Sequence, residues 1–116
     1  MQMSALLLLV SLAAQATDQP RRGYLLQILD RPVDATFIST KQREDLQICV
    51  VDTIPSFLTP VVMDAGERAT LVAARGSPGA YAAAITLRSQ QTGTFIEVRA
   101  AKAIDDRIID RLKDCF

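Results

Sequence analysis

Cys49 and Cys115 are the only two cysteines of the chain, and it contains no histidine. A thiol pair can act as a redox couple or as a structural bridge. Redox work needs an accessible, low-pKa thiolate, commonly in C-x-x-C spacing, and these two cysteines stand 66 positions apart. The missing imidazole removes the usual neutral-pH general base, a common metal ligand and the base of most nucleophile triads. What remains for these sulfurs is a bridge if the chain is exported, or two independent buried thiols if it is not. In the chain-entropy account, closing a loop of 66 residues stabilises a fold by about 4 kcal/mol.

The acidic side chains offer little more. Asp52, Asp64, Glu67, Glu97 and the aspartates near the C-terminal end are scattered. Two-carboxylate hydrolysis needs a facing pair in a cleft, and hard cations need clustered oxygens. Asp64 and Glu67 flank one turn, but Asp at a turn start ordinarily hydrogen-bonds its own backbone. Arg75-Gly-Ser-Pro-Gly79 sets a cation beside free N–H groups, an arrangement that can hold an anion. It lacks the spacing and the lysine of a phosphate-binding P-loop, so it reads as a hairpin loop. No nucleophile has a base beside it. The expectation is a protein without catalytic, cofactor-binding or metal-binding residues.

Of the 116 residues, 49% are hydrophobic and 22% charged, the composition of one small globular domain. The 13 basic and 13 acidic residues cancel, so no net charge draws the chain to nucleic acid or an anionic membrane. Residues 1–16 have the features of a secretory signal: Ala5-Leu-Leu-Leu-Leu-Val-Ser-Leu-Ala-Ala14 is apolar, and Ala14-Gln-Ala16 fits small-x-small cleavage. The run is shorter than the roughly 20 residues that cross a bilayer. Export would place both cysteines where an even count in a small domain means a bridge. Periplasm or extracellular space is the compartment expected.

The elements that must position the cysteines follow from pattern. Residues 17–38 read as an N-terminal extension; within them 23–29 favours a short helix over an edge strand, and Pro32 disfavours helical geometry at Arg31. A domain over residues 39–116 then begins with a helix. Ser39 and Gln42 fit a capping box, Leu46, Cys49, Val50 and Thr53 form its buried stripe, and Pro55 stops it. Four strand-sized runs follow: 60–63, 68–75, 80–88 and 94–99. Their turns hold Gly66, Gly76, Gly79 and Gly93, and links this short permit only an antiparallel meander. Ala101, Ile104, Ile108, Leu112 and Cys115 make the apolar stripe of a final helix, whose surface charges are ordinary solvated pairs.

Alternation assigns Tyr81, Ala83, Ile85 and Leu87 to the apolar face, together with Ile96 and Val98. Both helices are expected there, tied to each other by Cys49 and Cys115 in an α+β fold. The other face gathers Ala82, Ala84, Thr86, Arg88, Phe95, Glu97 and Arg99. Small residues with one ring and two guanidinium groups make a flat surface, and Arg88, Phe95, Glu97 and Arg99 are the candidate contacts for a protein partner or a second copy. The reading is a disulfide-stapled, exported, non-enzymatic interaction module of the bacterial envelope. An inhibitor of a secreted enzyme, presenting the loop 76–79, is the alternative.

Overall fold

The computed structural model describes residues 24–77, 79–102 and 104–116. The signal segment 1–16 lies outside the described residues, as does Pro78. The fold is α+β, built on one antiparallel sheet of five strands rather than four. In chain order these are a helix α1 (24–29), β1 (Ala35–Ser39), α2 (Arg43–Thr53), β2 (Thr59–Asp64), β3 (Ala69–Arg75), β4 (Tyr81–Gln90), β5 (Gly93–Ala100), α3 (Asp105–Leu112) and a closing 3-10 turn (Lys113–Cys115).

The strands run β1-β5-β4-β3-β2 across the sheet. The meander β2 to β5 is the expected one, and β1 adds itself outside β5, so α2 must carry the chain from one edge of the sheet to the other. The added strand, Ala35-Thr-Phe-Ile-Ser39, pairs Phe37 with Ile96 and Ile38 with Phe95. Its alternating β-branched and aromatic residues suit a pleated surface. This strand displaces the expected capping box. Ser39 ends β1, where its hydroxyl accepts the Lys41 N–H at 3.1 Å and donates to the Phe116 carbonyl at 3.4 Å. The helix starts later, behind Gln42, with no side-chain cap.

One face of the sheet carries the main core. Val72, Ala74, Ala83, Ile85, Leu87, Ile96, Val98 and Ala100 meet Leu46 and Val50 of α2, Ile54 at its C-cap, and Ile108 and Leu112 of α3, all buried. Both helices thus cover the same face, as patterning requires. The bridge Cys49–Cys115 joins them with 5.7 Å between Cα atoms. It is not strictly helix to helix, because α3 tightens into its 3-10 turn before Cys115. The Thr53 hydroxyl donates to the Cys49 carbonyl at 2.8 Å and stands 3.4 Å from the Cys115 sulfur.

The opposite face is partly covered as well. Ile28 of α1 packs on Leu71 and Ala84, with Leu25, Leu29, Met63 and Tyr81 around them. Strict alternation puts Tyr81 on the other side. The register shift opposite Ala74 and Arg75 explains the change: Arg75 pairs with Tyr81 and Ala74 with Ala83, leaving Ala82 as the extra residue of a β-bulge. The bulge turns Tyr81 toward α1 and lets Ala82 pack against the main core.

Candidate interaction surface

The face that carries α1 at one end is built row by row. Its outermost row is Ile38 of β1, Phe95 of β5, Arg88 of β4 and Ala69 of β3, each directly opposite the next. The row behind it is Thr36, Glu97, Thr86, Leu71 and Met63. A third holds Arg99, Ala84, Ala73 and Val61. Alternation therefore brings Arg88, Phe95, Glu97 and Arg99 to one face, as the pattern implies.

They do not stand alike on it. The Arg88 Nε donates to Glu97 Oε1 at 3.0 Å, a diagonal ion pair between β4 and β5. With Arg88 half-exposed, such a pair contributes at most about 1 kcal/mol. Its effect is geometric, since it ties the Arg88 side chain to β5, the strand that carries Phe95. Arg99 faces the N-terminal side, where its Nε donates to the Arg31 carbonyl at 3.0 Å. That bond ties the loop after α1 to β5, so Arg99 belongs to the seam under α1 more than to the open end. Ala84 and Thr86 are buried rather than open, at 0% and 4% exposure. The small-residue part of the face is already occupied, and the free part is the row around Phe95.

Ile38 extends that row and did not figure among the expected contacts. It is 78% exposed, beside Phe95. The signal for it was present: Thr36, Phe37 and Ile38 make a short β-prone run in a segment assigned to the extension. The run was too short for period alone to decide.

The other sequence motifs stay apart from this surface. Arg75 and Gly79 are close: a Cβ on Gly79 would meet the Arg75 guanidinium nitrogen Nη2 at 3.3 Å, so the cation lies over the backbone of its own loop. Asp64, the last residue of β2, and Glu67, on the turn that follows, are both exposed. Among the described residues no group of three or more His, Cys, Asp or Glu side chains could hold a metal ion, and no helix is long and apolar enough to cross a membrane.

No protein-family model, no curated protein and no solved structure matches the chain. The row on the sheet and the bridge beneath it therefore carry the functional reading by themselves.

Proposed function

We propose that the protein is a non-enzymatic interaction module of an oxidising compartment, the bacterial envelope or the extracellular space, and that it engages a protein partner through the row Ile38, Phe95 and Arg88. The observation that carries this is an exposed aliphatic side chain, a half-buried ring and an ion-paired guanidinium in line across three adjacent strands. Aromatic residues and arginine are enriched where partners bury a surface, and they lose little entropy when already held in place. The frame beneath is stiff: the sheet rests on a closed core clamped by the Cys49–Cys115 bridge. A bridge in a small domain also favours an oxidising compartment over the cytosol.

The test is a pull-down from envelope extract with Phe95→Asp. Phe95 is only half-buried, so the variant is expected to melt like the parent and to lose the partner. Retention of the same partner by a well-folded Phe95→Asp protein removes this surface from consideration. Intact mass of the protein purified from its host, with and without reductant, tests the compartment. The expected mass lacks residues 1–16 and two hydrogens.

A further inference from the structure

The two edges of the sheet are unequal. β2 carries Pro60 in its body and ends on Asp64, and both discourage another strand from pairing there. β1 contains neither proline nor charge, and among the described residues it pairs with β5 on one side only. The outward N–H and C=O groups of such an edge are a template for a further strand. We infer that β1 pairs antiparallel with β1 of a second copy of this chain, joining two sheets into one across a twofold axis at Phe37.

Three features select a second copy as the occupant. First, the strand is self-complementary. With Phe37 opposite its own copy, Thr36 falls opposite Ile38 of the second copy, and both of these residues are exposed on the same face. Ile38 then stands between Phe95 on its own sheet and a threonine methyl on the other, which covers the sides of its apolar side chain and leaves its outer surface on the face. Second, on the opposite face Phe37 lies against Phe116 with ring centroids 4.8 Å apart. The twofold axis brings two such aromatic pairs together. Third, β1 is preceded by Asp34 and followed by Lys41. Antiparallel pairing sends Asp34 of each copy toward Lys41 of the other, whereas parallel pairing would set like charges side by side. Neither group is used up at home. Among the described residues, Asp34 accepts the Ala100 N–H through Oδ2 alone, and the Lys41 ammonium gives one bond, at 2.7 Å, to the Cys115 carbonyl. An ammonium has further donors to offer.

The resulting contact is isologous and closed, so it stops at a dimer. Five residues of strand with their flanking side chains make a small interface, of the class below about 1,200 Å² that belongs to weak, reversible association. This pairing does not depend on the partner surface proposed above. It would present two Ile38 and Phe95 rows on one continuous face.

Sedimentation velocity of the intact oxidised protein, from about 10 μM to about 1 mM, reads the association directly. The parent is expected to move from monomer toward dimer over that range. Ile38→Lys and Thr36→Lys are each expected to stay monomeric throughout, with unchanged thermal melts, because both side chains are exposed in the monomer. In a mixed-isotope sample of the dimer, intermolecular contacts between the methyl groups of Thr36 and Ile38 are expected. A parent that remains monomeric at the highest concentration overturns the inference. So does a dimer that survives both lysine variants, or one that lacks the Thr36 to Ile38 contacts. Loss of self-association would leave the Phe95 pull-down result standing, and a negative pull-down would leave the dimer standing.

Discussion

Gly93 shows how one residue can fix the join between two parts of the sheet. It opens β5 after the two-residue turn Gln91-Thr92, pairing with Gln90, and its φ of +138° is one that other residues adopt only at a cost. Space is a second constraint. A Cβ there would collide with the Ser39 carbonyl oxygen and stand 3.0 Å from Thr40 Cα, both fixed backbone where β1 ends. Gly66 has a similarly unfavourable φ of +113° but nothing within 4 Å of an added Cβ. Gly66→Ala should therefore cost about 1 kcal/mol, from backbone strain alone. Gly93→Ala should cost more than about 3 kcal/mol, since β1 must also move away from β5. Thermal or denaturant unfolding of the pair checks this; equal losses would show that the close approach to Ser39 is easily relieved.

At the level of elements, the least self-sufficient piece is α1. The described part of α1, residues 24–29, owes its place to tertiary contacts more than to helix propensity. Its hold on the sheet is Ile28, buried against Leu71 and Ala84, together with the loop bond from Arg99 to Arg31. The β-bulge at Ala82 contributes to the same socket by turning Tyr81 toward it. Ile28→Asp is expected to release α1 without unfolding the sheet. The predicted signature is fast amide exchange over residues 24–29, with β4, β5 and α2 still protected, and a loss of about 2 kcal/mol in global stability. A uniform loss of protection across the sheet would show instead that α1 is part of the main cooperative unit.

At the level of the whole molecule, the bridge closes the second layer. α2 reaches the sheet from one edge and α3 follows β5, so their packing joins segments distant in the chain, and Cys49 to Cys115 closes a loop of 66 residues. Reduction frees the end of α3, where Lys41 holds the Cys115 carbonyl and Phe116 leans on Phe37. Reducing the bridge, or replacing both cysteines by alanine, is expected to lower unfolding free energy by about 4 kcal/mol. For a domain of this size each kcal/mol is worth about 4 °C or more in melting temperature, so the shift is large. A melt unchanged by reductant would place the stability in Leu46, Ile85 and their neighbours rather than in the cross-link.

Local chemistry made much of this architecture legible. Glycine and proline punctuation, with short links, forced an antiparallel meander. Helical spacing of Leu46 with Val50, and of Ile108 with Leu112, marked the faces that now lie buried. The two sulfurs, one on each stripe, required those helices to share a side of the sheet. Where local pattern was weak, long-range contact decided. Residues 35–39 become a strand because β5 offers a partner some 60 residues away, and Ser39 is thereby taken from the helix cap that its spacing with Gln42 suggests. Strict alternation could not register one extra residue at Ala82, so the side on which Tyr81 lies was settled only when β4 was laid against β3. The candidate surface divides the same way. Period 2 is a property of each strand and placed Phe95 with Glu97; the position of Ile38 beside Phe95 depends on which strands are neighbours, and tertiary pairing alone fixes that.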